Sequence, residues 1–431
     1  MKNTIARTAS RLLAGMSLTL SLSLPISAQG QQATGSSSNP DESNQQLLER
    51  IKKLEARLKE LEEKQVAPAP TPAATTPPPA APAPVAAPTP VEMPAVNEVA
   101  PRLKMDIFGD VGANVFNHVP GTFEFGSLDL FMRARLSSRV SALGEVLFIA
   151  QSDNSIGLDV ERLLLQYRQN DYFTVAVGRY HSWVGYYNTA FNKGEFLETA
   201  VDRPFVYAFD DPGGVLPMQD VGVTATGKIP SGKLGLNWVA EAGNGRAWGL
   251  DAEPTQNNQD ANNSKAINGG LFIQPDKFAG LQAGFSLRHD NISYPGPPIG
   301  EMIATAHVVF TNSKYEILNE AVLVRHVENT GPVFQTSAFY TQFSRAFGAV
   351  RPYFRYQYFN APSNDPVYFF AGQNTYVPPS VTGFVGRLNG PSLGVRWDFT
   401  EHSALKLQYD RFSFRGLDTE NGVTGQLAFT F

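Results

Sequence analysis

Residues 127–138 read SLDLFMRARLSS, and the order of polar and apolar side chains within them points to the fold. Leu128, Leu130, Met132, Ala134 and Leu136 fall on one side of an extended chain, and Asp129, Arg133, Arg135 and Ser137 on the other. Side chains alternate sides along a β-strand, so this stretch is a strand with one apolar and one polar face. Upstream, Leu103, Met105, Ile107, Val111, Ala113 and Val115 oppose Lys104, Asp106, Asp110 and Asn114. Downstream, Val221, Val223 and Ala225 alternate with Asp220, Thr224 and Thr226, and Leu393, Val395, Trp397 and Phe399 oppose Ser392, Arg396 and Asp398. A soluble sandwich can alternate in the same way.

The connections separate the two architectures. About sixteen candidate strands follow residue 102, joined by short turns at Ser137-Ser138, 169–171, 230–233, 311–313, Phe347-Gly348 and 400–402. Longer connections cover 181–219, 243–266, 291–300 and 360–390. An even strand count with short turns on one side and long loops on the other is the pattern of an all-β, transmembrane antiparallel β-barrel. The chain ends with Val423, Leu427, Phe429 and Phe431 on one strand face and Thr424, Gln426 and Thr430 on the other. Phe173, Phe347, Tyr353, Trp397 and Phe412 lie near strand ends and are expected in interfacial girdles.

The residues before the barrel divide by composition. Lys2, Arg7 and Arg11 precede an apolar run from Leu12 to Leu24, and Ala28 closes a small-residue cleavage site, so residues 1–28 read as a signal peptide. Residues 29–43 read as disordered. Over 44–65, Leu47, Leu54 and Leu61 fall at heptad position d and Ile51 and Leu58 at a, with Arg50, Glu55, Arg57 and Glu62 at the flanking g and e positions. That is a short parallel coiled coil, and its doubled Arg-h-x-x-h-Glu pattern resembles a trimerisation motif. Residues 66–101 are rich in Pro and Ala and read as an extended linker.

The 431 residues include six histidines and no cysteine and carry a formal net charge of −5, which gives no basic field for nucleic acid. No histidine has metal-ligand spacing, and no nucleophile sits in a catalytic motif, so no metal, cofactor or catalytic residue is expected and the chain does not read as an enzyme.

A sixteen-stranded barrel leaves an aqueous lumen. Its inward positions carry Arg133, Arg135, Arg162, Arg179, Arg288, Arg351, Arg355 and Arg396. The longest connection, 181–219, is the third outer loop and carries Lys193, Glu195, Glu198, Asp202, Arg203, Asp210 and Asp211. Opposed charges across a narrow lumen set ion selectivity, whereas arginines paired with Asp129, Glu145, Glu161 or Asp398 would only stiffen the wall. Residues 102–431 hold 26 Lys and Arg against 31 Asp and Glu, so anion preference has to come from local placement.

Export, coiled coil, linker and barrel together, with VAVGRY at 175–180, RPYFRY at 351–356 and the final Phe431, resemble the phosphate-selective O/P-type and DcaP-like trimeric porins of bacterial outer membranes. Lysine-rich phosphate sites have no counterpart here. The resemblance implies an outer-membrane homotrimer that passes small hydrophilic, anionic solutes, with the third loop as constriction and Phe431 as a signal to the barrel-insertion machinery. The N-terminal arm would lie in the periplasm, within reach of peptidoglycan. A structural anchor, or a non-selective or cation-preferring channel, is the alternative.

Overall fold

The computed structural model describes residues 102–117, 119–150, 154–191, 194–207, 215–248, 254–256, 258, 262–294, 296–328, 331–368, 386–415 and 418–431. The expected signal peptide, coiled coil and linker lie outside the described residues, as do Lys193, Asp210 and Asp211.

Sixteen strands form one closed antiparallel barrel. They are β1 (Arg102–Phe116), β2 (Val119–Arg135), β3 (Val140–Ala150), β4 (Ile156–Asn170), β5 (Phe173–His181), β6 (Gln219–Lys228), β7 (Leu236–Gly243), β10 (Ala266–Ile273), β11 (Leu281–Tyr294), β12 (Gly296–Thr311), β13 (Tyr315–Glu328), β14 (Val333–Arg345), β15 (Val350–Asn360), β16 (Arg387–Thr400), β17 (Ser403–Phe414) and β18 (Glu420–Thr430). Two short strands, β8 (Arg246–Trp248) and β9 (Pro254–Gln256), pair with each other in the loop after β7. Each barrel strand pairs with the next, β7 pairs with β10, and β18 returns to β1 with Phe108 opposite Thr430. Closure removes the free edges that a bilayer does not tolerate. No described helix is long and apolar enough to cross a membrane.

The alternation maps onto the wall as the sequence requires. Leu103 is 67% exposed and Val115 65%, facing out, while Asp110 and Asn114 are buried inside. Phe173, Phe347 and Trp397 are exposed on the outer surface, but Tyr353 and Phe412 are buried in the interior and do not belong to a girdle. Their positions follow from the two-residue period, which puts Tyr353 on the row of Arg355 and Phe412 on the row of Lys406.

Two departures from regular pairing place charge. Gly126 leaves room for Asp110, because a Cβ there would lie 2.1 Å from its carboxylate; Asp110 instead accepts from the Ser127 amide at 2.9 Å and hydroxyl at 3.0 Å. On β4 the register slips, so that Arg162 opposes Glu145 and Asp159 opposes Leu147. Residues three apart fall on opposite faces of a regular strand; the extra residue of this bulge brings both inward.

The long connections, 182–218, 244–265 and 361–386, all fall at one end, where short turns also join β1 to β2, β11 to β12, β13 to β14 and β17 to β18. The other end has turns of a few residues between β2 and β3, β4 and β5, β12 and β13, β14 and β15, and β16 and β17. The expected long loop at 291–300 is absent. β11 and β12 instead continue as a hairpin with Ile292 opposite Ile299 and Tyr294 opposite Gly296. The extension carries Ile292 and Ile299 into an interior apolar cluster, which stabilises strand pairing there.

Candidate pore constriction

The connection from β5 to β6 enters the barrel. Its two ends are stapled by Asn188, whose amide donates to the Ser182 and Met218 carbonyls, both at 2.7 Å. A single helical turn, α1 (Tyr186–Ala190), starts the inward course. Its first amides, Tyr186 and Tyr187, donate to the Glu320 carboxylate on β13 at 2.5 and 2.9 Å. The hydroxyls of Tyr207 and Tyr340 donate to the same carboxylate at 2.9 and 2.5 Å. Four donors replace the hydration that Glu320 loses on burial.

The segment 194–205 then crosses the lumen and is gripped from the far wall. Arg396 on β16 donates to the carbonyls of Phe196 at 2.6 Å and Glu198 at 2.8 Å. Lys406 on β17 donates to the Glu195 carbonyl at 2.6 Å and the Ala200 carbonyl at 3.2 Å. Arg355 on β15 donates to the Asp202 carbonyl at 2.8 Å. The Phe205 amide donates to Gln357 at 2.8 Å, and the Gly194 amide to Asp129 on β2 at 3.2 Å. Asp202 has φ 60, a left-handed conformation that Asp tolerates better than most residues, and the Arg355 contact holds it there.

Above and beside these bonds, Val184, Tyr187, Phe205, Val206, Tyr207, Val215, Leu216 and Met218 of the loop pack into the interior cluster with Ile303, Val322, Phe359 and Phe412 of the wall. At ~25 cal/mol per Å² of apolar surface, burial on this scale is the main force seating the loop. The polar contacts set its register.

The eight arginines expected along the lumen serve different ends. Arg355 and Arg396 hold the loop; Arg396 also pairs with Asp398 at 2.7 Å. Arg162 pairs with Glu145 and Arg133 with Asp106 at 2.8 Å, and both guanidiniums lie over the Phe131 ring, at 5.1 and 5.2 Å. The Arg133 side chain is 50% exposed near the short-turn end of β2, while Arg355 in the middle of β15 is fully buried beneath the loop. Arg135 is exposed near the end of β2. Arg351 donates to Ser344 at 3.3 Å and the Ser313 carbonyl at 3.2 Å, beside the short turns. Arg179, expected inward, opposes exposed Leu163 and shares the row of exposed Val177, so the register puts it on the outward row, where it donates to Gln219 and, at 3.0 Å, to Asn258.

Arg288 belongs to a buried network nearer the long loops. It contacts Asp220 at 3.2 Å, Asp290 at 3.2 Å and Glu301 at 3.3 Å. Glu301 also pairs with Arg246 of the 244–265 connection and with His326 at 3.0 Å, and His326 reaches Asp365 of the 361–386 connection at 2.8 Å. This network ties two long loops to the wall.

Of the loop acids, Glu198 is buried, and neither carboxylate oxygen has a hydrogen-bond partner among the described residues. Burial raises its pKa well above the ordinary carboxyl value, and neighbouring Glu195 adds to the shift. Burial also raises Glu195, against the pull of Lys406. Sequence reasoning missed Lys406, Glu320, Arg246 and Asp365. The alternation Lys406, Gln408, Asp410 gave a signal for the first; the other three required the loop path.

By sequence the chain matches no protein-family model and no curated protein. Its structure resembles that of an anion-selective porin from Comamonas acidovorans, with a TM-score of 0.52 at 10% identity over 77% of this chain and 100% of that one. The outer membrane channel DcaP of Acinetobacter baumannii gives 0.51 at 10% identity over 77% and 97%. Salmonella typhi OmpF, in a complex with daunomycin, gives 0.51 at 11% over 76% and 97%. At this identity the likeness is one of architecture, and the architecture is that of the sixteen-stranded outer-membrane porins.

Proposed function

We propose that the protein is an outer-membrane porin, a water-filled channel through which small hydrophilic, anionic solutes such as carboxylates diffuse passively. The observation that carries this reading is the 182–218 connection, folded inward and gripped on the far wall by Arg355, Arg396 and Lys406. A loop held across a sixteen-stranded lumen narrows it, and the half-exposed Arg133 presents a cationic group to the solvent on the β2 side. In a low-dielectric wall such charges act with less screening than charges on outer loops.

The working unit is a homotrimer. One solved relative in fold, OmpT of Vibrio cholerae, is described in a trimer form, at a TM-score of 0.50 and 11% identity. The heptad at 44–65 supplies a parallel three-chain seam on the periplasmic side, with the Pro/Ala-rich linker as spacer towards peptidoglycan. Phe431, at the barrel seam beside Ile107 and 71% exposed, is available to the insertion machinery.

Single-channel recording of the purified protein across a potassium chloride gradient tests the proposal. Discrete conductance steps with an anion-selective reversal potential are expected. Conductance with a cation-selective potential would overturn the anion assignment, and a silent, correctly inserted barrel would favour a structural anchor.

A further inference from the structure

The outer wall of β10 to β14 carries a trough that a lipid-facing surface does not need. Ala306 and Ala321 oppose each other in register and form its floor. Leu271, Phe285, Val308 and Phe339 rise around them and border an open trough of about 910 Å³. One polar pair lies along it, Asn319 and Thr341, bonded to each other at 2.7 Å, with the Asn319 amide also donating to the Val308 carbonyl at 3.2 Å. Its polar groups are therefore satisfied within the wall, and the rest of the trough is hydrocarbon.

Towards the long-loop end, the same outward row of β13 presents Arg325, opposite Met302 and Gln335. Arg325 is exposed and makes no ion pair among the described residues. At ~3.3 Å per residue it lies roughly 13 Å along the strand from Ala321. An unpaired guanidinium on a membrane-facing wall is costly in hydrocarbon, and a positive charge near the interface attracts an anionic head group.

We propose that this trough and Arg325 together bind one lipid with an anionic, phosphate-bearing head group from the leaflet on the long-loop side. An acyl chain lies over Ala306 and Ala321, and the head group meets Arg325. Small residues between aromatic rims suit an acyl chain, and the guanidinium of Arg325 at one end suits an anion. The proposal rests on membrane placement and is independent of what the lumen conducts.

The test titrates the purified full-length protein with phosphatidylglycerol and with phosphatidylcholine of identical chains, followed by native mass spectrometry. Insertion into vesicles, read by heat-modifiable electrophoretic mobility, checks membrane placement separately. One phosphatidylglycerol per chain is expected, bound at least tenfold tighter than phosphatidylcholine. Arg325→Gln should bring the two lipids level, and Ala306→Phe should remove both while leaving the heat-modifiable barrel intact. Equal binding of the two lipids by the wild type, or binding unchanged in Ala306→Phe, overturns the proposal. So does an Ala306→Phe variant that separates the assembly into single chains without changing its lipid content, which would make this face a seat for a second copy.

Discussion

Lys406 reaches across to the Glu195 carbonyl at 2.6 Å, joining β17 to a loop launched from β5 on the other side of the barrel. The ammonium is buried and also meets the Ala200 carbonyl. A cation at this place has no reason to be in a wall that merely seals the membrane. It is explained by what it holds.

Replacing Lys406 with Met should therefore loosen the constriction. Charge-assisted bonds of this kind contribute about 1.5–3 kcal/mol each, and the Arg396 contacts keep part of the loop in place. Single-channel conductance should rise and become noisier in Lys406→Met, and rise further with Arg396→Met. An unchanged conductance in the double variant would place the narrowest point elsewhere.

Glu198 gives the constriction a pH dependence of defined sign. Its pKa is raised in the folded loop, so the seated loop binds the proton more tightly than the unseated chain does. Its contribution to loop seating should fall as pH rises from the ordinary carboxyl value, and level off above the raised value. Conductance noise in the wild type should increase over that interval. Glu198→Gln should flatten the profile, since no ionisation remains.

Selectivity should respond to Arg133 before it responds to the loop-holding arginines. Arg133 is half exposed beside Phe131, whereas Arg355 is fully buried against the Asp202 carbonyl. Arg133→Gln should move the reversal potential in a potassium chloride gradient towards cations. Arg355→Met should chiefly alter conductance, through the loop.

The network around Glu301 should behave as a structural unit. Glu301 receives Arg246, Arg288 and His326 and is fully covered. Removing one partner of a buried pair leaves a charge uncompensated, at about 3–5 kcal/mol. Arg246→Met should lower the unfolding temperature of the barrel and speed proteolysis within 244–265, and Glu301→Gln in the same chain should recover part of the loss.

The alternation at 127–138 was enough to orient the wall, because a two-residue period assigns every side chain to lipid or lumen once one face is known. It also placed most of the turns and the long connection between β5 and β6. It erred where a strand pair outlasts the expected turn, in the β11–β12 hairpin that continues through 291–300. What periodicity could not supply was the path of the 182–218 connection. That path is set by contacts hundreds of positions apart, such as Lys406 with Glu195 and Arg396 with Phe196. An arginine on an inward row looks the same in sequence whether it faces water, a carboxylate or a loop carbonyl; only the seated loop distinguishes Arg133 from Arg355, by leaving one in solvent and covering the other.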